Sequence, residues 1–261
     1  MAEQTNIFDE LAPYARLTVV PGVSVGQLNY VNQQDLTYTC AFQPTIVAVD
    51  GVNKVTIPAN TTLQFFQGTI GDSATTAGYT AGTLSSSQTN SRFPRGQAPA
   101  NQCFVATACG FSVTTLATSG GGRSALDLNA APIQSQLIAP EYLYQLAHQF
   151  SWDLTIGRGI TRTIGPLAAF PGPDAVYAVQ NDAGTFVGAG EVQNPGASQL
   201  GSAGQGFTKL KVPVVFPPLV NVAITAQNGS PFMLCNESAL LASALQVRIT
   251  LRGYLMTMPV G

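Results

Sequence analysis

At 261 residues, with hydrophobic side chains at 45%, the chain can build one large β domain or two of about 130 residues each. Charged residues make up only 9% and the formal net charge is −2, whereas ordinary soluble domains carry about 25% charged residues. This excludes a surface kept apart from its neighbours by charge. Two readings stay open: a polar but uncharged surface rich in Ser, Thr, Asn, Gln and Gly, and a surface that copies of the chain cover, because interface cores are depleted of charge.

The 11 Lys and Arg are scattered rather than clustered on one face, so no specific nucleic-acid recognition is expected. The first residues, Met1-Ala2-Glu3-Gln4-Thr5-Asn6, have neither a basic nor an apolar stretch, so no secretory leader is expected. The most apolar window, 212–226, contains Pro213, Pro217, Pro218 and Asn221 and falls short of the roughly 20 residues of a membrane span.

In chain order, Asn6 can cap a short helix through Asp9-Glu10-Leu11 that ends near Pro13. Alternating or β-branched runs bounded by Gly, Pro, Asn or Asp then predict strands near 16–20, 23–30, 36–41, 45–49, 54–57, 62–67, 103–108 and 110–116. A second helix is predicted over 140–149. Pro140 stands at its first turn, and Tyr142, Leu143, Leu146 and Ala147 make one apolar face. Further strands are expected near 150–156, 160–164, 175–179, 184–187, 208–216, 220–226, 232–236 and 244–256.

Eight strands fall in each half, and a short helix precedes each set. The expected fold is therefore all-β, with two antiparallel eight-stranded sandwiches in tandem, residues 1–132 and 133–261. The alternative is one large sandwich with an inserted helix. The polar segments 71–101, 118–127 and 181–206 are expected to be long loops, ordered at contacts or projecting from the body.

Catalytic chemistry finds little to work with. His148 is the one histidine, so any Ser-His-Asp or Cys-His mechanism would have to use it. Gly22-Val23-Ser24-Val25-Gly26 matches G-x-S-x-G, but that elbow needs a strand before the serine and a helix after it, and here the serine sits inside an alternating run. Cys40, Cys103, Cys109 and Cys235 lack metal-binding spacing and read as buried thiols. Ser119-Gly120-Gly121-Gly122-Arg123-Ser124 lacks the phosphate-loop lysine. No catalytic, cofactor-binding or metal residues are assigned, and no enzyme activity is expected. Trp152 alternates with Phe150 and Leu154, which places all three toward a core. Phe65-Phe66 is expected to put one ring on each face of its strand, one against the core and one against a neighbouring copy.

The C-terminal third is the most informative. A strand ending in a proline corner, Lys209-Leu210-Lys211-Val212-Pro213-Val214-Val215-Phe216-Pro217-Pro218, leads to the alternating run Val220-Asn221-Val222-Ala223-Ile224-Thr225-Ala226. The last strand then reads Val247-Arg248-Ile249-Thr250-Leu251-Arg252-Gly253-Tyr254, with Gln246, Arg248, Thr250 and Arg252 on one face and Leu245, Val247, Ile249 and Leu251 on the core face. Gly253 allows a bend where the phase shifts.

This series resembles the closing strands of jelly-roll capsid proteins of tailless icosahedral bacteriophages, including the double jelly-roll group that encloses an internal membrane. The resemblance covers about the last 55 residues and is one of architecture. It implies a jelly roll in each half, or one large single jelly roll with long loops. It also implies a major capsid protein of the virion, made in the host cytoplasm, with homotrimeric pseudo-hexagonal capsomers that self-assemble into an icosahedral shell. Its partners would be further copies, other virion proteins and, in the membrane-containing group, an underlying bilayer. Two other classes stay open. A carbohydrate-binding, fibre or spike module would carry an aromatic or Asp/Asn cluster in one loop set. A β-sandwich hydrolase would carry two facing carboxylates in a cleft.

Overall fold

The computed structural model describes residues 10–42, 45–49, 52–79, 81–117, 147–157, 159, 161–170, 177–180, 197–200, 207–234 and 243–259. The fold is all-β. Among the described residues, fifteen strands lie in chain order: β1 (Thr18–Val20), β2 (Val23–Ser24), β3 (Asn29–Phe42), β4 (Thr45–Val49), β5 (Val52–Ile57), β6 (Thr62–Phe65), β7 (Gln102–Ala117), β8 (Phe150–Ile156), β9 (Arg162–Pro166), β10 (Tyr177–Gln180), β11 (Ala197–Leu200), β12 (Thr208–Phe216), β13 (Val222–Asn228), β14 (Phe232–Leu234) and β15 (Ser243–Thr257).

Two four-stranded antiparallel sheets form the body, in the orders β12-β7-β15-β3 and β6-β13-β8-β9. The pairing is nested. Of the eight body strands, the first pairs with the last (β3 with β15), the second with the seventh (β6 with β13), the third with the sixth (β7 with β12), and the fourth with the fifth (β8 with β9). Each sheet therefore takes strands from both sides of residue 132. Two tandem sandwiches, 1–132 and 133–261, are not how the described strands pair.

The core lies between the sheets, and period-2 alternation fills it. On β13, Val222, Ile224 and Ala226 point in, while Ala223, Thr225 and Gln227 point out. Phe150, Trp152 and Leu154 on β8 and Val247, Ile249 and Leu251 on β15 do the same. Rings stitch one sheet to the other: Tyr38 to Phe65 at 6.5 Å, Phe65 to Phe111 at 6.0 Å, and Phe111 to Trp152 at 5.5 Å.

Several expectations change in detail. The runs expected at 103–108 and 110–116 are one strand, β7. Its inward residues are Phe104 and Ala106, then Cys109 and Phe111, because Thr107 is a bulge residue with no register partner on β15. The bulge shifts the phase without ending the strand. The strand expected at 23–30 stops at Ser24, where a 3-10 turn, Val25–Gln27, intervenes before β3.

Phe65 and Phe66 do not straddle their strand. Both are fully buried in the same core, because Phe66 adopts φ +60°, ends β6 and swings its ring inward onto Tyr38 and Phe216. At the start of the chain, Glu10 and Leu11 are helical and pass into a 3-10 turn, Ala12–Tyr14. Of the second helix, Ala147 to Gln149 are helical and the rest lies outside the described residues. The strand expected at 184–187 and the glycine run at 120–122 also lie outside them, and β11 is a strand within a segment expected to be loop.

Segment 71–101 is ordered against the body. Leu84, Phe93 and Ala98 enter the core. Gly96 lets it pass: a Cβ there would come within 2.1 Å of the Val222 carbonyl oxygen. Residues 10–28 lie over the outer face of the first sheet. There Leu11, Val19 and Val25 pack on Cys103, Val105, Val215, Tyr254 and Met256 as a second apolar cluster.

Candidate assembly surface

His148 is exposed at the end of the short helical segment before β8. Ser24 directs its backbone N–H and its hydroxyl to Gln27 Oε1, at 2.8 and 3.1 Å, which ties off the 3-10 turn. The serine is thus used in a turn, and no long helix follows it as a nucleophile elbow requires. Among the described residues, no three His, Cys, Asp or Glu side chains come together as a metal site, and no helix is long and apolar enough to cross a membrane. Trp152 packs in the core against Phe111 and Phe170 and is not a surface platform.

Cys40, Cys103 and Cys109 are free and buried in separate places. Burial raises all three thiol pKa values. Cys103 and Cys109 are pushed from 9.0 to about 12, and Cys40 is also raised, burial outweighing its contact with the Gln64 carbonyl. Cys235 lies outside the described residues.

Two measurable results follow. A thiol-specific reagent at pH 8 should leave Cys40, Cys103 and Cys109 unmodified until the protein is denatured. Stability should also fall as pH rises above 9. The unfolded chain releases these protons near pH 9 while the folded chain holds them to about pH 12, so the unfolded state binds fewer protons across that window. Each thiol then costs about 1.4 kcal/mol per pH unit. Urea titrations at pH 8 and pH 10 would read the loss.

The polar face of β15 is used for contacts within the chain. Arg248 donates to Thr39 Oγ1 and the Ser87 carbonyl, and Gln246 donates to the Tyr79 hydroxyl. Arg252 makes a two-pronged pair with Asp35, at 3.1 and 3.0 Å, and lies 3.9 Å over the Phe207 ring. The pair is largely solvated, so Arg252→Ala should cost about 1 kcal/mol or less, mostly through the ring contact. Chemical denaturation in low and high salt would measure this.

Tyr254 donates to Glu10, and Thr107 in the β7 bulge faces the same carboxylate, so the N-terminal segment is fastened where the sheet is irregular. Burial, reinforced by that carboxylate, raises the Tyr254 pKa.

Three of the four edge strands, β3, β9 and β12, carry features that hinder strand addition. On β3, Thr37 and Thr39 are covered by residues 88–90: Thr39 N–H donates to Gln88 O, Asn90 N–H donates to Thr37 O, and Asn90 Oδ1 accepts from Thr37 N–H. Further along β3, Val31 is a bulge residue with no register partner on β15. On β9, Ile164 is a bulge residue and Pro166 follows. On β12, residues 210–213 bulge out opposite Thr107 and include Pro213.

These same irregularities present three of the seven exposed large apolar side chains among the described residues. Val31 is 47%, Ile164 37% and Val212 60% accessible. At the turn after β12, Leu219 is 63% accessible and held at φ +57°, with its N–H bonded to Ala98 O and its carbonyl accepting from Gln97 Nε2. A leucine fixed in a left-handed conformation and aimed at solvent fits a contact point better than a random surface residue. The sequence signal missed here was the bulge, which period-2 reading does not register.

The outer face of the second sheet has the opposite character. Ser151, Thr155, Ala223, Thr225 and Gln227 surround Asp153 on it, and all are half-buried. Asp153 Oδ1 is shielded from solvent and has no hydrogen-bond partner.

Comparison with family models, curated proteins and solved structures finds no match to this chain.

Proposed function

We propose that the chain is a viral coat subunit and that its sandwich is one eight-stranded jelly roll rather than two. The observation that carries the reading is the nested pairing, first strand with last and fourth with fifth, divided into two facing sheets. A double-sheet wrapping of eight strands is a jelly roll, an architecture of viral capsid domains, lectins and cupins. Within that set, the coat reading is favoured by the surface. Charged residues are 9% of the chain, three of the four edge strands are bulged or partly covered, and apolar side chains stand out at the bulges.

Such a subunit self-associates into homotrimeric capsomers, then into an icosahedral lattice with other virion proteins. It works without a catalytic residue, metal or cofactor, and its place is the virion. A carbohydrate-binding or fibre module is the second reading, because lectins share the architecture. Sedimentation velocity over a hundredfold concentration range separates the two. The coat subunit forms trimers and larger species as concentration rises, whereas a monomer throughout would contradict the proposal.

A further inference from the structure

We propose that the outer face of the second sheet is a docking surface for a second copy of this chain, and that it receives that copy's β12 bulge. The inference rests on the coat reading and names the surface through which copies meet.

The receiving face is built from uncharged side chains, Ser151, Thr155, Ala223, Thr225 and Gln227, around one carboxylate. Asp153 lies at its middle, on an inner strand, opposite Thr163 on β9 and Thr225 on β13. Thr155 is bonded to Thr161, and Ser151 contacts the Gln227 carbonyl. Asp153 Oδ1 has no such partner although solvent does not reach it. A desolvated carboxylate oxygen without a donor is costly, and a cation placed near the carboxylate from outside offsets part of that cost through charge.

The other described acids are already engaged. Asp35 is paired with Arg252, Glu10 accepts from Tyr254, and Asp72 accepts from the Thr69 N–H and hydroxyl, which lowers its pKa.

The bulge supplies the complement. Between Lys209 and Val214 the register of β12 on β7 breaks; Leu210 and Pro213 stay buried, while Lys211 and Val212 are exposed. Lys209, at the start of the bulge, and Lys211, within it, are exposed and precede Val212, which is 60% accessible. An exposed apolar residue with an ammonium group beside it, at Lys211, suits a neutral face with a central carboxylate. The like-charged alternative, two Asp153 faces meeting across a twofold axis, would bring the two carboxylates together. Because bulge and face are different patches, the contact is head-to-tail, which closes into rings such as trimers when the rotation allows.

Charge-swap variants of the full chain, measured by sedimentation velocity, test this. Asp153→Lys and Lys211→Asp should each weaken self-association at least about tenfold, and the double variant should recover most of the loss. Val212→Asp should weaken it without rescue by Asp153→Lys. Far-UV circular dichroism should match wild type in each case, and Asp153→Asn serves as the milder variant should the lysine disturb folding. Wild-type association that Asp153→Lys and Asp153→Asn leave unchanged, or a double variant no better than its parents, would overturn the docking surface and leave the coat reading standing. Failure of the wild type to associate at all would instead count against the coat reading.

Discussion

Gly253→Ala should abolish the soluble folded protein or destabilise it by about 4 kcal/mol or more. A Cβ at residue 253 would come within 2.1 Å of the Val105 carbonyl oxygen and 2.6 Å of Ala106 Cα. Both are backbone atoms of β7, the strand paired with β15 over nearly its whole length, so neither can swing aside as a side chain would. The glycine sits where Thr107 bulges out and Gly253 and Arg252 pair with Ala106 and Ala108. Relief would require separating the two central strands of the first sheet, which exceeds the usual cost of overpacking, about 1–3 kcal/mol. A loss of that size approaches the whole stability of many domains, about 5–15 kcal/mol. Gly229→Ala is the control, since a Cβ there meets nothing within 4 Å, and it should stay within about 1 kcal/mol of wild type. Urea unfolding followed by circular dichroism compares the two.

Trp152→Ala should cost about 3–5 kcal/mol, and Trp152→Phe markedly less. The indole is fully buried, 5.5 Å from the rings of Phe111 and Phe170, so truncation to alanine leaves a large cavity between the sheets. The indole N–H is buried without a hydrogen-bond partner. Phenylalanine keeps most of the ring contacts and removes that donor, which offsets part of the lost volume because an unsatisfied buried donor costs about 1–3 kcal/mol. The expected loss for Trp152→Phe is about 1 kcal/mol. Equal losses in the two variants would mean that the nitrogen contributes a bond after all. Circular dichroism is the readout, because Trp152 is the one tryptophan in the chain.

The strands most easily read from the sequence were those with an undisturbed period of two. β4, β8 and β12 fall on the expected residues, since Phe150-Ser151-Trp152-Asp153-Leu154 alternates without interruption. The facing of β15 was equally legible: Val247, Ile249 and Leu251 are buried and Arg252 is exposed. Strand count per half was the misleading signal. Counting eight and eight suggested two bodies, yet β3 pairs with β15 across most of the chain length, and such long-range pairing leaves no mark in local alternation. β7 was split in two because the bulge at Thr107 reverses the phase, and Phe66 was misplaced because a left-handed residue turns a ring that alternation would send outward. The candidate surface was legible only as a scarcity of charge. Its location depended on bulges at Val31, Ile164 and 210–213, and on the position of Asp153 in the middle of a neutral sheet face.

A coat subunit, as proposed, builds a shell. Negative-stain electron microscopy of the purified full chain, concentrated at neutral pH and moderate salt, tests this. The expected result is closed particles of uniform size alongside trimeric rings. Fields of single compact subunits at the highest concentration reached, with no rings and no shells, would contradict it.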